Sequence, residues 1–191
     1  MKYIDKNLKI IETKDGSMSL YNVELNESYH SRKGAIEETD YVYIKQGLEF
    51  VIQELEMTNI KIFELGFGTG SNLLRTLEYV LPHNNLKINF KTIEKYPISF
   101  ELINQLNYNK FSTPNCYNLF LTSHKCSWDT PIQLTSDFRF TKFLGDIHNL
   151  ELNDTINLVY YDAFAPKRQA DVWDKAILQK LYDKLTINGT L

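Results

Sequence analysis

The residues with the clearest chemical potential form a glycine-rich turn in the first half of the chain. Residues 64–72 read Glu-Leu-Gly-Phe-Gly-Thr-Gly-Ser-Asn and lie between an apolar run and a helical pattern. Glycines let a backbone pass close to a ligand, and the N-terminal end of a helix presents free N–H groups. A tight β-to-α connection is the plain alternative, but the strand-turn-helix context favours a nucleotide site. The expected cofactor contacts are Gly66, Phe67, Gly68, Gly70 and Asn72.

The spacing of this turn indicates the charge of its ligand. The glycines follow the pattern G-x-G-x-G, whereas dinucleotide sites favour G-x-G-x-x-G. Glu64 directly precedes the turn, where a carboxylate would repel a pyrophosphate but attract the ammonium group of a methionine moiety. We therefore expect a cofactor that is cationic rather than polyanionic.

Two further acids follow apolar runs, and each could bind one part of an adenosine. Glu94 ends the second predicted strand, where a carboxylate can accept hydrogen bonds from both ribose hydroxyls. Asp146 follows Gly145 after a later strand and could bond the exocyclic amine of adenine. Gly-Asp turns are common, and a strand-end carboxylate is often merely exposed. Together with Glu64, however, these acids predict S-adenosyl-L-methionine.

The reacting groups are expected in the segment 161–166, which reads Tyr-Asp-Ala-Phe-Ala-Pro. It follows an apolar strand, so Asp162 and Phe164 should lie at the carboxyl edge of the sheet, where open α/β folds bind ligands. Asp162 is too far from the helix around Trp173 to cap it, and we interpret Trp173 as a core residue. Asp162, Phe164 and Pro166 are the candidate catalytic residues, and Asp162 is also a candidate cofactor contact.

These residues need a fold that brings the ends of strands together. From Ile60 onward, short apolar runs alternate with helical patterns, which is typical of a parallel sheet with crossover helices. We therefore predict an α/β, Rossmann-like fold with a mostly parallel, doubly wound sheet. The predicted strands are 61–67, 86–94, 138–144 and 156–162, and the predicted helices are 71–81, 98–106 and 170–185. Asn188-Gly189 should turn into one more strand.

The remaining segments have patterns of their own. Residues 9–25 contain two β-prone runs around Asp15-Gly16, which predicts an N-terminal β-hairpin. Apolar residues spaced i, i+3, i+4 and i+7 predict an amphipathic helix over about 44–57. Residues 109–137 should hold a short helix and the first arm of a hairpin. Within one compact domain, we expect an N-terminal hairpin and substrate-side extension over 1–45 and a cofactor-binding core over 46–191.

Composition restricts the classes of partner. The chain has 191 residues and a formal net charge of -3, and it contains no polybasic run. The absence of a signal peptide pattern and of a long apolar stretch predicts a cytoplasmic protein without membrane contact. The four histidines have no ligand spacing, so we expect no metal.

Four motifs carry a resemblance to a known family. Besides the turn at 64–72, they are Glu94-Lys95-Tyr96-Pro97, Phe143-Leu144-Gly145-Asp146 and the segment 162–167, Asp-Ala-Phe-Ala-Pro-Lys, followed by Val172-Trp173. Upstream, residues 29–31, 34–38 and 41–43 look like the N-terminal signature of the same family. The chain resembles, over almost its whole length, the MnmD-type proteins and the methyltransferase half of MnmC, which act on tRNA.

This resemblance implies a reaction and a partner. It implies methyl transfer from S-adenosyl-L-methionine to the 5-aminomethyl group of uridine 34 at the anticodon wobble position, giving 5-methylaminomethyl-2-thiouridine. It also implies functional coupling to a separate FAD-dependent oxidoreductase. Lys95 joins the expected cofactor contacts, and the expected substrate contacts are Tyr29, Ser31, Glu37, Lys167 and Arg168. Since the family continues beyond the last predicted strand, we expect that C-terminal strands are missing from this chain.

Three alternatives remain open at this stage. A methyltransferase or aminopropyltransferase acting on a small amine would use the same fold and the same acid positions. A non-catalytic module that binds S-adenosyl-L-methionine or RNA belongs to another class. A nicotinamide oxidoreductase is disfavoured by the glycine spacing and by Glu64.

Overall fold

The computed structural model describes residues 4–191, so the first three residues of the predicted 1–45 segment lie outside the described residues. Its strands are β1 Leu8–Glu12, β2 Met18–Asn22, β3 Glu27–Ser28, β4 Asn59–Leu65, β5 Lys87–Glu94, β6 Ile132–Thr135, β7 Phe138–Leu144, β8 Ile156–Tyr161 and β9 Leu185–Thr190. Its α-helices are α1 Ala35–Thr39, α2 Phe50–Gln53, α3 Ser71–Val80, α4 Phe100–Ile103, α5 Pro114–Lys125 and α6 Lys175–Tyr182.

The described chain divides into two compact units. The first comprises residues 4–46, Gly68–Asn84 and Tyr96–Cys126. The second comprises Gly47–Phe67, Asn85–Lys95 and Ser127–Leu191. The predicted division of the chain at residues 45 and 46, within one compact domain, stays a prediction.

A three-stranded antiparallel sheet opens the first unit. Strands β1 and β2 form the predicted hairpin, with Leu8 opposite Asn22 and Glu12 opposite Met18. The turn between them contains Gly16 at a φ of 82°, a left-handed conformation that suits glycine. Strand β3, which the sequence analysis did not predict, pairs with β2 in the order β1-β2-β3.

Asp15 in this turn joins the hairpin to the first helix. Its Oδ1 accepts hydrogen bonds from the Ser17 N–H at 2.9 Å and from the Thr13 hydroxyl at 2.7 Å. Its Oδ2 accepts from the N–H groups of Ile36 and Glu37, both at 3.2 Å, and so satisfies two free donors at the start of α1. Partial burial raises the pKa of Asp15, but the hydrogen bonds from Ser17, Thr13 and Glu37 outweigh burial and hold the pKa at about 2.

The helix predicted over 44–57 begins earlier in the structure than predicted and also ends earlier. Helix α1 begins at Ala35, continues as a π-helical stretch over Asp40–Glu49 and ends as α2 at Gln53. The early start follows from the cap that Asp15 supplies from 21 residues upstream of Ile36. At the other end, Glu56 adopts a φ of 52° and the Met57 N–H bonds the Val51 carbonyl at 3.1 Å, which closes the helix.

The predicted helix over 98–106 is also shorter. Helix α4 begins after Ser99, whose hydroxyl accepts from the Leu102 N–H at 3.2 Å, and it ends at Ile103. After it, Gln105 bonds Leu102 and Leu106 bonds Ile103, so the backbone tightens into turns with i to i-3 hydrogen bonds. Helix α3 closely follows the prediction, and α5 is the short helix expected in residues 109–137.

A six-stranded sheet in the order β6-β7-β5-β4-β8-β9 forms the second unit. All its pairs are parallel except β6 with β7. This confirms the predicted α/β fold with a mostly parallel sheet. From β4 the chain proceeds to β5 and β7 on one side and then to β8 on the other, so the strand order reverses at β4 and β8.

Two predictions for the end of the chain are wrong in detail. The helix predicted over 170–185 is divided into a 3-10 turn, Ala170–Trp173, and α6, because extended Asp174 caps α6 by accepting from the Ile177 N–H at 2.8 Å. Asn188 and Gly189 do not precede a strand but lie within β9. Asn188 has a φ of 67° there, and the pairing with β8 shifts register.

Different side chains cover the two faces of the large sheet. On one face, Phe63 and Val159 belong to a buried cluster with Ile177 and Leu181 of α6. On the opposite face, the ring of Phe90 lies 6.1 Å from that of Phe140. No helix within residues 4–191 has the length and apolar character needed to cross a membrane.

The capping role of Asp15 can be tested by Asp15→Asn, which replaces one acceptor oxygen with a donor. We expect the variant to lose about 1–2 kcal/mol in the free energy of unfolding at neutral pH, measured by urea denaturation. Because the folded-state pKa is depressed to about 2, the contribution of the carboxylate is present above pH about 4 and disappears as the pH falls toward 2. The two proteins should therefore converge in stability over that range. Glu12→Gln, an exposed change in the same hairpin, is the control, and equal stability of the Asp15 and Glu12 variants would contradict this role.

Candidate active site at the carboxyl edge of the sheet

The carboxyl ends of four parallel strands meet at one edge of the second unit. Leu65 of β4 pairs with Ile93 of β5 and with Tyr161 of β8, and Glu94 of β5 pairs with Leu144 of β7. Each predicted acid is therefore in or directly after a strand that ends at this edge, apart from Asp146, which follows Gly145. Ligands of open α/β sheets bind at such an edge, at the point where the strand order reverses.

Gly66 lies at this reversal point, and a side chain there would have no space. A Cβ built on Gly66 would lie 2.5 Å from the carbonyl oxygen of Asp162, and Gly66 has a φ of 93°. Its N–H donates to the Ile93 carbonyl at 3.1 Å, and the Asp162 N–H donates to the Leu65 carbonyl at 3.1 Å. These bonds hold β4, β5 and β8 together at the start of the turn.

Glu64 is fully buried, and it belongs to a row of polar residues across the sheet. It pairs with Thr92 of β5 and Tyr160 of β8, and Thr92 in turn pairs with Lys142 of β7. Lys142 is only 1% exposed, and its ammonium lies 4.6 Å from the centre of the Trp128 ring. A buried carboxylate and a buried ammonium thus occupy one row, about 10 Å apart at the backbone.

The sequence analysis did not identify Thr92 or Lys142 as part of this site. The sequence nevertheless contained a signal for Lys142. Side chains of a strand point alternately to its two faces, so Lys142 lies on the same face as Phe138 and Phe140. A lysine in phase with buried aromatic residues indicates a buried charge, and such charges cluster near functional sites.

Asp146 is already in contact with the side chains of Lys95 and His148. Its Oδ2 lies 2.8 Å from the Lys95 ammonium, and its Oδ1 lies 2.6 Å from Nδ1 of His148 and accepts from the His148 N–H at 3.0 Å. Burial raises the pKa of Asp146, but these partners outweigh it and hold the pKa well below its usual range. The bond to Asp146 raises the pKa of His148. A carboxylate has about four acceptor positions, so an adenine amine can still bond to it.

Glu94 and Lys95 differ in exposure although they are adjacent. Glu94 is the half-buried last residue of β5, whereas Lys95 is exposed and extends to Asp146. Gly145 has a φ of 152°, and no atom lies within 4 Å of a Cβ built there. The structure brings Glu64, Glu94, Asp146 and Asp162 to the same edge, while the role of each residue stays a prediction.

The loop after β8 holds the candidate catalytic residues in a defined conformation. The Trp173 indole N–H donates to the Phe164 carbonyl at 2.7 Å, and the Phe164 N–H donates to Oε1 of Gln169 at 3.2 Å. The Ala165 carbonyl accepts from the Arg168 N–H at 2.7 Å, which closes a turn around Pro166. Asp162 and Phe164 are half-buried, whereas Pro166, Lys167 and Arg168 are exposed. Trp173 is therefore more than a core residue, because it also fixes this loop.

In the first unit, the rest of the glycine turn is held by three ring side chains. The Tyr108 hydroxyl donates to Oγ1 of Thr69 at 2.9 Å, and Nε2 of His124 lies 3.2 Å from the Thr69 carbonyl. Nε2 of His30 lies 3.5 Å from Oγ1 of Thr69, and its Nδ1 lies 2.7 Å from the Ser19 hydroxyl. Burial lowers the pKa of His30 to about 4, so this ring is neutral at pH 7. None of these three rings was predicted to support the turn.

The turn leads into α3 with its glycines in left-handed conformations. Gly68 has a φ of 50° and Gly70, which directly precedes α3, a φ of 75°. Asn72 is buried in the first turn of the helix, and Phe67 is buried in the second unit. These conformations present backbone N–H groups at the start of α3, as a ligand cradle requires.

The predicted substrate contacts of the first unit lie close to this turn or to the hairpin. A Cβ built on Gly68 would lie 3.3 Å from Cδ1 of Tyr29, so the Tyr29 ring lies directly beside the turn. The Ser31 N–H donates to Oε2 of Glu38 at 2.6 Å. Glu37 donates its N–H to Asp15 while its side chain is exposed.

Within each unit, the residues fit S-adenosyl-L-methionine. In the second unit, a fully buried carboxylate at Glu64 suits a cationic group, and the half-buried Glu94 suits the two hydroxyls of a ribose. In the first unit, glycines at 68 and 70 leave the backbone of the turn accessible. Among residues 4–191 there is no cluster of three histidine, cysteine or acidic side chains that could hold a metal ion.

The close approach of Gly66 to the Asp162 backbone can be tested by making the same substitution at Gly66 and at a second glycine, Gly16. Gly66→Ala would add both a strained φ and a clash with the Asp162 backbone, whereas Gly16→Ala adds only the strained φ, since nothing lies within 4 Å there. We expect Gly16→Ala to cost about 1 kcal/mol of unfolding free energy and Gly66→Ala clearly more, because the backbone at Asp162 would have to move. Thermal unfolding of both variants measures the difference, and isothermal titration with S-adenosyl-L-methionine should show weakened binding only for Gly66→Ala. Equal effects of the two changes on both measurements would contradict the assigned close approach.

Comparisons with known proteins agree with this geometry. Residues 117–191 match a family model described as S-adenosyl-L-methionine-dependent methyltransferase. The chain is 29% identical over 168 residues to the tRNA 5-methylaminomethyl-2-thiouridine biosynthesis bifunctional protein MnmC of Leptospira interrogans, covering 83% of this chain and 26% of that protein. It is 26% identical over 174 residues to MnmC of Methylobacillus flagellatus, covering 84% of this chain and 26% of that protein.

A solved structure has the same fold. The crystal structure of MnmC2 from Aquifex aeolicus superposes with a TM-score of 0.73 and 25% sequence identity, and the match covers 95% of this chain and 58% of that chain. The chain spans about a quarter of the length of the bifunctional MnmC relatives that it matches in sequence. Sequence, fold and family model agree with the resemblance found in the motifs: the chain is similar to the MnmC proteins, and its residues 117–191 match a family of methyltransferases whose cofactor is S-adenosyl-L-methionine.

Proposed function

We propose that this chain transfers a methyl group from S-adenosyl-L-methionine to the primary amine of a 5-aminomethyl group on uridine or 2-thiouridine 34 of tRNA, in the cytoplasm. The product is 5-methylaminomethyl-2-thiouridine, the nucleoside in the names of the MnmC relatives. The proposal rests on two residues that lie together where the strand order reverses. Glu64 is buried directly before the glycine turn, and Asp162 lies beside that turn at the start of an ordered loop.

The chemistry divides between the cofactor and the chain. When bound, S-adenosyl-L-methionine supplies an electrophilic methyl group on a sulfonium. The amine nitrogen donates its electron pair to that methyl carbon, the carbon–sulfur bond breaks, and sulfur keeps the bonding pair. The nitrogen must be neutral before attack and loses a proton afterwards. Because the displacement requires nitrogen, carbon and sulfur in one line, orientation of these atoms provides much of the rate enhancement.

Asp162 is the proposed orienting group for the amine. Its backbone is fixed by the N–H bond to Leu65 and by the close packing against Gly66, so the position of its carboxylate is restricted. A half-buried carboxylate can accept a hydrogen bond from the amine and can receive the proton that the amine must lose. Partial burial also disfavours the charged form of the amine and thereby lowers its pKa.

Phe164 is the proposed stacking partner of the uracil. Its N–H is bonded to Gln169 and its carbonyl to Trp173, which fixes the backbone from which the ring extends. Aromatic faces commonly bind unstacked bases of single-stranded RNA, such as those of an anticodon loop. Pro166 limits the conformations of this loop, and the exposed Lys167 and Arg168 are proposed contacts to phosphate.

The relatives suggest where the substrate of this reaction originates. The MnmC proteins are named as bifunctional, and this chain spans only about a quarter of their length. We propose functional coupling to an FAD-dependent oxidoreductase activity, which would produce the 5-aminomethyl group that this chain methylates.

The direct experiment is transfer of labelled methyl from S-adenosyl-L-methionine to bulk tRNA from cells unable to complete the modification, followed by nucleoside analysis. We expect label in 5-methylaminomethyl-2-thiouridine, and RNase treatment before the reaction should abolish transfer. Cofactor binding without label in tRNA would contradict the proposal. A small-amine methyltransferase would then be tested with free amines, whose methylation should resist both RNase and added salt.

The role of Asp162 is tested by Asp162→Asn, which keeps the size of the side chain but removes its charge. We expect kcat to fall by about 10²-fold or more, the range of general acid–base contributions, with little change in cofactor affinity. Asp183→Asn, on the exposed end of α6, removes the same charge away from the edge and serves as the control. Full turnover by Asp162→Asn would exclude it as an important catalytic group. A loss confined to cofactor affinity would instead assign it to cofactor binding.

A further inference from the structure

One face of the large sheet is polar and basic near the amino ends of its strands. Register places Lys61 of β4, Asn89 of β5 and Arg139 of β7 in one row across neighbouring strands. Lys91, two residues beyond Asn89, lies on the same face, and so does Lys87, two residues before it. Four cations therefore project from the same side of three adjacent strands.

Only part of this positive charge is neutralised nearby. Lys91 forms an ion pair with Asp154, and the Lys61 ammonium donates to the Thr155 hydroxyl at 3.1 Å. The hydrogen bond and the charge of Lys91 lower the pKa of Asp154, and Lys61 and Arg139 lower it further. Asp154 thus interacts with three of the four cations, and it is in an ion pair with Lys91.

Three of these residues, Lys61, Asn89 and Lys91, also line a groove in the second unit. The carboxylates Glu151 and Asp154 line the same groove. Oδ1 of Asn89 is buried and has no hydrogen-bond partner among the described residues. A buried acceptor of this kind is costly unless a donor reaches it. The two lysines and the two carboxylates of the groove balance in charge, so the excess positive charge of the basic face lies at the exposed Lys87 and Arg139.

This basic face is separate from the carboxyl edge. Lys61 and Leu65 are four residues apart on β4, which corresponds to about 13 Å along an extended strand. The net charge of the whole chain is -3, so this concentration of cations is a local feature and not a consequence of composition.

We propose that the basic face of Lys61, Lys87, Lys91 and Arg139 binds the phosphodiester backbone of the RNA substrate. This inference rests on the proposed function, since it names a second contact surface for the same tRNA. Phosphate contacts supply most of the affinity of proteins for nucleic acids, and an acidic chain needs a local patch to make them.

The test compares two triple variants with the same change in net charge. Lys61→Gln, Lys87→Gln and Arg139→Gln together remove three cations of the basic face, while Lys9→Gln, Lys45→Gln and Lys175→Gln together remove three exposed cations elsewhere. Affinity for bulk tRNA is measured from low to moderate salt by fluorescence anisotropy. We expect the first variant to bind about tenfold or more weakly and to lower the slope of log K against log salt by roughly 2–3, at about 0.9 per lost phosphate contact. The control variant should retain the affinity and slope of the wild-type chain.

Two further measurements keep the outcomes distinct. Affinity for S-adenosyl-L-methionine should equal that of the wild type in both triple variants, because none of the changed residues is an expected cofactor contact. If the first triple variant loses cofactor binding, Arg139→Gln alone, a single exposed change, should still weaken tRNA binding and lower the slope by about 0.9. Wild-type affinity and slope in the basic-face variants, with tRNA methylation intact, would overturn this inference and leave the proposed function standing. Absence of any tRNA binding and methylation by the wild-type chain would overturn both.

Discussion

The arrangement of the candidate site depends on the contact between Gly66 and the backbone of Asp162. At this point β4 ends beside β8, and the 2.5 Å separation between a built Cβ and the Asp162 carbonyl leaves no space for a side chain. The bond from Gly66 to Ile93 adds β5 to the same junction. Three strand ends are fixed together at this junction. The backbone positions of Glu64, Glu94 and Asp162 relative to one another are therefore fixed as well. Such pre-organisation is what positioning catalysis requires.

The second determinant is electrostatic. A fully buried carboxylate such as Glu64 is expensive in isolation, and the row through Thr92 to Lys142 places a buried cation on the same face. At the same edge, Asp146 is kept ionised by Lys95 and His148. The edge therefore gathers four acidic side chains, of which Glu64 is fully buried, and this suits a cofactor with a sulfonium and an ammonium and disfavours a pyrophosphate. The basic face on the same sheet has the opposite charge and suits the backbone of the proposed RNA substrate.

Local patterns in the sequence predicted the parts of the structure that depend on neighbouring residues. Alternating apolar runs predicted β4, β5, β7 and β8, and the glycine spacing predicted the turn before α3. Features that depend on distant residues were not predicted. Helix α1 begins at Ala35 because Asp15, in the turn of the hairpin, caps it. Lys142 lies in the same row as Glu64 only because of the register of β4, β5 and β7. The support of Thr69 by Tyr108 and His124 likewise arises from residues 39 and 55 positions away.

We propose that this chain holds S-adenosyl-L-methionine with its methionine ammonium at Glu64 and its ribose at Glu94. The most direct test is a crystal structure of the chain with S-adenosylhomocysteine, the stable product of the cofactor. We expect the amino group within hydrogen-bond distance of the Glu64 carboxylate, the ribose hydroxyls on Glu94 and the adenine beside Asp146. A ligand bound away from the carboxyl edge, or bound there with the adenine at Glu64, would contradict it.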